Sequence, residues 1–170
     1  KGGYGDLIDT LSMLCVRLGF VKDVKDIPRL SYEQLCYLYD TTELTAEHEE
    51  KIWKMYGDVV AITYFPKRTS PFFNMKESVT GGLYNKCDFI ICGQETFGSA
   101  ERSCDVDAMR KAFHTISDGM YAKLLFMKFS QERVEKELEE FLSLPMIPRF
   151  GCGIGLTRLH RAMKLKNLLP

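Results

Sequence analysis

CDFIICG, residues 87–93, is the stretch of this 170-residue sequence that most strongly predicts a buried β-strand. Aromatic and β-branched residues fill its centre, and Gly93 offers a place for the strand to end. DVVAITYF, residues 58–65, predicts a second strand that Pro66 closes. PFFNMK, residues 71–76, predicts a third and shorter strand. The centre of the fold is therefore predicted to be a β-sheet.

Helical patterns surround these strands. A glycine-serine pair, Gly98-Ser99, is expected to break the chain after the central strand, and a glycine-rich strand near the end leads into a short final helix. Because helices and strands do not alternate strictly, we predict an α+β fold with an antiparallel β-sheet flanked by helices. The other predicted helices span residues 6–18, a short piece from near Ser31, a segment between Thr45 and Gly57, and residues 106–116, 118–128 and 131–143, with Asp105 and Ser130 as candidate N-caps.

The composition excludes several classes of protein. Lys and Arg together number 23, as do Asp and Glu, and a formal charge of zero argues against a stand-alone nucleic-acid binder. No apolar run approaches the roughly 20 residues that span a membrane. The six cysteines are scattered without a CxxC pair, which makes a zinc site improbable. We expect a cytoplasmic protein with no membrane contact.

Two acids frame the end of the central strand. Asp88 lies within the strand, and Glu95 follows seven residues later. Because side chains alternate along a strand, this odd offset places them on opposite faces in a regular register. A bulge at Gly93 would bring both carboxylates to one side, where they would suit Mg²⁺ bound with a triphosphate. The alternative is a strand-edge Asp and an exposed Glu with no shared role.

Arg102 is a candidate for holding an anionic ligand. It follows the small residues Gly98, Ser99 and Ala100, which would let the backbone approach a ligand closely. A guanidinium can hold a carboxylate through two parallel hydrogen bonds, and a lysine cannot. The alternative is a surface arginine paired with a neighbouring acid, Glu101 or Asp105.

GCGIGLTR, residues 151–158, carries glycines at alternate positions, Gly151, Gly153 and Gly155. One face of a strand built this way has no side chains, so a flat group such as adenine can lie against it. Arg158 could then stack on the ring and reach its phosphates. The spacing matches neither the dinucleotide-binding fingerprint nor the P-loop. The alternative is a glycine-lined packing contact between the strand and the following helix.

The same stretches resemble a known family. GCGIGLTRLHRAM, residues 151–163, resembles the third signature motif of class II aminoacyl-tRNA synthetases. YNKCDFIICGQETFGSAERSCD, residues 84–105, is similar to the aspartyl-enzyme segment that carries an Asp, a Glu seven residues later and an Arg seven after that. Asp88, Glu95 and Arg102 fall on that spacing without gaps. The similarity extends in order over most of the chain.

The resemblance implies a class II synthetase-like catalytic fold, of which residues 1–170 would be the C-terminal part, with no anticodon-binding domain. It implies an AMP-forming ligase that uses ATP and Mg²⁺ to convert aspartate or asparagine into an aminoacyl-adenylate and passes the acyl group to tRNA. A homodimer is implied, with tRNA contacts in regions outside this chain. This piece alone is expected to be incomplete as an enzyme.

The resemblance also implies a role for each candidate residue. Asp88 and Glu95 would hold Mg²⁺ and the phosphates. Arg102 would pair with the carboxylate or amide of the amino-acid side chain, and Arg158 would stack on adenine and contact the terminal phosphate. The remaining candidates for nucleotide binding are Ser99, Gly151, Gly153 and Gly155.

Some positions depart from the aspartyl pattern and leave two alternatives open. Thr157 stands where synthetases of this branch usually carry an acid, and GIGLTRL is instead similar to ammonia-dependent asparagine synthetase. Arg149 replaces a typical His, and Ser70 a typical Arg. The first two class II motifs are not found in these 170 residues. The chain could therefore belong to a tRNA-independent relative or to a non-catalytic paralogue.

Overall fold

Five strands form one mixed sheet in the computed structural model, which describes residues 2–169. Their spatial order follows the sequence. The first pair is parallel, and the other three pairs are antiparallel. The strands are β1 Arg29–Ser31, β2 Val59–Pro66, β3 Leu83–Ile91, β4 Gln94–Arg102 and β5 Arg149–Ile154.

Helices flank this sheet, and those among residues 2–169 are all too short or too polar to cross a membrane. Residues 106–142 contain three successive helices that build a separate apolar cluster. The helices are α1 Tyr4–Arg17, α2 Tyr32–Leu38, α3 Ala46–Tyr56, α4 Val106–Thr115, α5 Met120–Phe129, α6 Gln131–Leu142 and α7 Leu156–Leu165.

The two faces of the sheet carry different cores because side chains alternate along each strand. Phe89, Ile91 and Phe97 face α1 and α7, and this cluster is almost completely buried. Ile62 and Ile90 face the other way, where α2 and α3 cover the β1–β3 side of the sheet. The β4–β5 side of that second face is more open, and the β5 residues from position 152 to 154 are exposed.

A tight turn joins β3 to β4. Ile91 pairs with Gln94, so only Cys92 and Gly93 connect the two strands. Both connecting residues have positive φ, 48° and 81°, which is the backbone twist that a two-residue hairpin requires. The segment predicted as a strand followed by a break is therefore a hairpin. Gly98 lies inside β4 and does not break the chain.

The predicted helices are confirmed, with ends that differ by one or two residues. Asp105 caps α4 by accepting a hydrogen bond from the Ala108 N–H, whereas Ser130 makes no side-chain cap to α6. The expectation that the sheet is antiparallel throughout was wrong. The parallel strand β1 was missed because it is three residues long and pairs with a distant segment. It makes the sheet mixed and not purely antiparallel.

Residues 71–76 do not form the predicted strand. Met75 makes a single bridge to Arg102, and its N–H closes a turn onto the Phe72 carbonyl. Phe73 leaves the sheet and packs edge-on against Phe113 of the α4–α6 cluster. Burial of aromatic surface in that cluster outweighs the strand propensity of the segment.

Gly93→Ala is predicted to lower the free energy of unfolding by about 2–3 kcal/mol, because a methyl group adds backbone strain and a collision with a ring. A Cβ at this position would lie 2.9 Å from Cε3 of Trp53, at φ +81°. Gly82→Ala is the matched control. It has φ +69° but no heavy atom within 4 Å, so it should lose only about 1 kcal/mol. Urea denaturation measures both, and equal losses would contradict the predicted collision.

Candidate functional site

The open half of the second sheet face carries a row of small residues beside an acid. We call this row, which consists of Gly98, Ala100, Gly151 and Gly153, the glycine row. Asp88 on β3 lies opposite Gly98 on β4, which in turn lies opposite Gly153 on β5. Two residues further along β4, Ala100 lies opposite Gly151. Strand alternation therefore places all these positions on the same face. The result is a shallow surface with little side-chain cover.

A β-bulge places Glu95 on this face as well. Phe89 pairs with Phe97, but Ile90 pairs with Glu95, so Thr96 is an extra residue in β4. Because of this extra residue, Asp88 and Glu95 lie on the same face although they are an odd number of residues apart. A bulge was the condition for the two acids to converge. It occurs at Thr96 and not at Gly93, which was the expected position. Gly93 is used for the turn instead.

The missing side chain at Gly98 leaves room for the two carboxylates. A Cβ built at Gly98 would lie 2.8 Å from Oε1 of Glu95 and 3.8 Å from Oδ1 of Asp88. Both oxygens therefore point toward the same position above the sheet. Any larger residue at Gly98 would have to displace Glu95.

Asp88 is a buried acid with only one of its oxygens satisfied. Its Oδ2 accepts a hydrogen bond from Nζ of Lys86, whereas its buried Oδ1 has no hydrogen-bond partner. Burial raises the pKa of Asp88 to about 6, Lys86 opposes that rise, and the neighbouring Glu95 adds to it. A buried oxygen without a partner is costly unless a ligand satisfies it. The Oδ1 atom is thus the oxygen of Asp88 that lacks a partner.

The main chain of Glu95 is held from two helices. Its N–H donates to Oε2 of Glu49 on α3 at 2.8 Å, and its carbonyl accepts from Nη1 of Arg158 on α7 at 2.6 Å. The structure therefore brings Arg158 and the acid pair together. Gly155 allows this approach, because a Cβ there would lie only 3.3 Å from Cδ of Arg158. Burial raises the pKa of Glu49, and the nearby charge of Glu95 acts in the same direction.

Arg102 lies at the other end of the glycine row. Its guanidinium donates to Oδ1 of Asn74 at 2.9 Å and lies over Gly151, where a Cβ would be 3.1 Å from Nη2. Burial and the neighbouring Arg149 lower the pKa of Arg102. Within residues 2–169 the guanidinium has no carboxylate partner closer than 4 Å. It is therefore placed to pair with the negative charge of a ligand.

The two acids offered as alternative partners of Arg102 are engaged elsewhere. Glu101 lies on the opposite face, where its carboxylate accepts hydrogen bonds from Lys76 and Asn85. Asp105 caps α4. Arg102 therefore does not form the surface ion pair with Glu101 or Asp105 that was the alternative interpretation.

Ser99 is the one sequence candidate that the structure does not bring to this face. It points to the opposite side of β4, is buried, and donates its hydroxyl hydrogen to the Cys87 carbonyl. Strand alternation explains the difference, since both neighbours of Ser99 face the site. Its hydroxyl is satisfied inside the sheet and cannot reach a ligand above the glycines.

A cavity of about 570 Å³ adjoins the acid pair. This volume lies in the range of small-molecule sites. Arg102 and Arg158 are outside its lining, so the cavity covers only the acidic end of the glycine row. The residues that line it are Tyr32, Thr42, Glu43, Leu44, Glu49, Ile62, Phe65, Arg68, Thr69, Ser70, Lys86, Asp88, Ile90 and Glu95.

Sequence reasoning missed three side chains that shape the site. Lys86 precedes Asp88 by two residues, so strand alternation alone could have placed it on the same face. Glu49 and Asn74 had no comparable signal. They reach Glu95 and Arg102 from segments 46 and 28 residues away in the chain.

The acids fit a divalent cation only if other ligands complete its coordination. Residues 2–169 contain no cluster of three or more His, Cys, Asp or Glu side chains that could hold a metal ion. Asp88 and Glu95 supply two carboxylates, and Mg²⁺ commonly takes one or two carboxylates together with phosphate oxygens and waters. The donor set thus suits an ion that arrives with a phosphate-bearing ligand.

These features define a class of protein: a helix-flanked α+β domain with a candidate ligand surface that carries two carboxylates at one end and a guanidinium group near each end. The family model for class II tRNA synthetases specific for D, K and N matches residues 7–167. The chain belongs to this family of class II aminoacyl-tRNA synthetases.

Individual relatives agree with the family. A probable cytoplasmic aspartate–tRNA ligase of Enterocytozoon bieneusi is 27% identical over 146 residues, which are 83% of this chain and 27% of the relative. The aspartyl-tRNA synthetase structure from Entamoeba histolytica has a TM-score of 0.68 at 21% identity and covers 95% of this chain. The asparaginyl-tRNA synthetase of the same organism, in complex with asparaginyl-adenylate, has a TM-score of 0.71 at 17% identity and covers 98%.

The chain spans less than half the length of these relatives. It covers 38% of the aspartyl structure and 42% of the asparaginyl structure. At these identities the structural likeness establishes the fold, and the activity of a whole synthetase is a separate matter.

Acid pH is predicted to stabilise the protein through Asp88 when divalent cations are removed with EDTA. The folded-state pKa of about 6 exceeds the ordinary aspartate pKa of 3.8, so the folded state holds the proton more tightly than the unfolded chain. The stabilisation is complete below about pH 4 and is lost as the pH rises through about 6. It amounts to at most about 3 kcal/mol.

Urea denaturation between pH 4 and pH 7 measures this effect against Asp88→Asn, which cannot titrate at this position. The wild-type protein should lose stability relative to the variant across that interval. Parallel profiles for the two proteins would contradict the raised pKa of Asp88.

Proposed function

We propose that this chain acts in the ATP-dependent activation of aspartate or asparagine as an aminoacyl-adenylate, followed by transfer of the acyl group to tRNA. The observation that carries the proposal is the convergence of the Asp88 and Glu95 carboxylates over Gly98, with Arg158 hydrogen-bonded to the same β4 residue. Membership of the class II family supports it.

In this proposal the glycine row receives the nucleotide. The exposed strand at Gly153 offers a flat surface for the adenine ring, and Gly155 lets Arg158 fold back toward it. Gly151 lies beneath the Arg102 guanidinium, next to the part of the row that is left for the amino acid. Arg158 stacks on the ring and contacts the terminal phosphate. The other end of the row is left for the amino acid.

Asp88 and Glu95 are proposed to hold Mg²⁺, which neutralises phosphate charge when it is bound with ATP. The unpartnered Oδ1 of Asp88 and Oε1 of Glu95 face one position, as a shared cation requires. The backbone clamps from Glu49 and Arg158 fix the start of β4 and so limit the movement of Glu95. Attack on phosphate depends mainly on charge neutralisation and positioning, and these residues supply both.

Arg102 is proposed to recognise the amino-acid side chain. It lies at the end of the row away from the acid pair, and Asn74 holds it in place without neutralising its charge. A carboxylate ligand would gain two charge-assisted hydrogen bonds, and an amide would gain one through its oxygen. The aspartyl relatives support aspartate as the substrate, and the relative with bound asparaginyl-adenylate supports asparagine.

The chain is proposed to be the C-terminal part of a class II catalytic domain in a homodimeric enzyme. Contacts with tRNA are assigned to regions outside these residues, in line with the zero formal charge of the chain. The ammonia-dependent alternative rests on Thr157. Release of AMP from ATP and aspartate with ammonia, in the absence of tRNA, would favour it over aminoacylation.

Arg102→Lys is expected to reduce amino-acid-dependent ATP–pyrophosphate exchange by roughly 10- to 100-fold, because an ammonium cannot reproduce a two-point contact. The assay uses the complete gene product, with circular dichroism to verify folding. Arg110→Lys is the control, since Arg110 pairs with Asp107 and Glu139 away from the glycine row and should retain exchange. Unchanged exchange in Arg102→Lys would exclude the proposed recognition role.

Glu95→Gln is expected to disturb the magnesium dependence of activation, raising the half-saturating Mg²⁺ concentration about tenfold or more through the loss of one anionic ligand. Exchange rates measured over a Mg²⁺ titration test this. Glu50→Gln removes the same charge from the exposed side of α3, where Glu50 pairs with Lys54, and should titrate normally. A normal titration for Glu95→Gln would count against metal binding by the acid pair.

A further inference from the structure

Lys86 places an ammonium group beside the acid pair. Its ammonium bonds to Oδ2 of Asp88 and lies 3.7 Å from the ring centroid of Phe65. Only 22% of the Lys86 side chain is exposed. An ammonium held between a carboxylate and an aromatic face is fixed in position, because both contacts are favourable and its stem is confined.

The two oxygens of Asp88 therefore face different cations. Oδ2 is occupied by Lys86, and the partnerless Oδ1 is directed toward the position that it shares with Glu95. With Lys86 in contact, the three side chains carry one net negative charge in place of two. A divalent ion near Asp88 is attracted less strongly, because the repulsion from the ammonium offsets part of the attraction to the two carboxylates.

We propose that Lys86 is a built-in monovalent cation that weakens divalent-ion binding by Asp88 and Glu95 in the absence of nucleotide. This inference rests on the proposed function, which assigns the metal to that acid pair. It assigns to Lys86 a role in setting metal affinity, so that the site acquires its divalent ion together with the phosphates of the nucleotide.

A second lysine provides a matched comparison. Lys76 also pairs with a buried carboxylate, that of Glu101, at 2.7 Å. Glu101 lies on the opposite face of β4 from the acid pair. Loss of charge at Lys76 therefore reproduces the loss of a lysine–carboxylate pair without changing the charge beside Asp88.

The experiment measures Mn²⁺ binding to the complete, nucleotide-free gene product by electron paramagnetic resonance of free Mn²⁺. Lys86→Gln removes the charge and the ammonium–Phe65 contact, and it keeps an N–H donor on a side chain that is one bond shorter. We expect it to bind Mn²⁺ at least about fivefold more tightly than the wild-type protein. Lys76→Gln should change the affinity less than about twofold.

Thermal melting provides a second readout that a purely structural ion pair would not alter in the same way. In EDTA, Lys86→Gln should melt at a lower temperature than the wild type, because Asp88 is left without its counter-charge. Saturating Mn²⁺ should raise the melting temperature of Lys86→Gln more than that of the wild type or of Lys76→Gln. If Lys86→Gln folds only when Mn²⁺ is present, the appearance of a melting transition on addition of Mn²⁺ replaces the comparison of melting temperatures.

The outcomes separate this inference from the proposed function. If Lys86→Gln binds Mn²⁺ with wild-type or weaker affinity, the role of Lys86 is overturned while the metal site stands. If neither protein binds Mn²⁺ in a saturable manner without nucleotide, the role of Lys86 is overturned, and the same titration in the presence of ATP tests the assignment of the metal to the acid pair. Equal tightening in Lys76→Gln would reveal a general charge effect and also overturn the inference.

Discussion

The β3–β4 hairpin is the constraint on which the rest of the structure depends. A two-residue turn with positive φ at Cys92 and Gly93 fixes the register, and the bulge at Thr96 then shifts Glu95 onto the face of Asp88. A regular ladder would send one of these acids into the apolar core beneath α1 and α7. The site and the core are thus two consequences of one strand register, because a slip of one residue exchanges the faces.

The acidic end of the glycine row is assembled at a cost in stability. Asp88 is buried with an unsatisfied oxygen, and its neighbour Glu95 carries the same charge. Lys86 offsets part of this cost from one side, while α3 and α7 hold the Glu95 backbone through Glu49 and Arg158. Polar groups kept unsatisfied in a folded protein are typical of positions reserved for a ligand, since the ligand supplies the missing contacts.

Local patterns predicted the helices well because their signals are contained within each segment: apolar spacing, an N-cap such as Asp105, and a terminating Gly57. The strands were harder to predict. Gly98 was predicted to break the chain because a glycine lowers strand propensity wherever it occurs. It lies inside β4, where the absence of a side chain leaves space for two carboxylates. Residues 71–76 had strand propensity but were drawn into the α4–α6 cluster through Phe73.

The sequence by itself determined the α+β class and the positions of the helices, and its spacing of acids, arginines and glycines predicted most of the residues that the structure brings together at the candidate site. Those properties depend on neighbours along the chain. Only the tertiary structure decided that Ser99 faces away, that the bulge falls at Thr96, and that Glu49 and Asn74 join the site. The physical reason is that strand register and cross-element hydrogen bonds arise between segments distant in sequence, where the packing of the whole sheet selects one arrangement among several that local propensity permits.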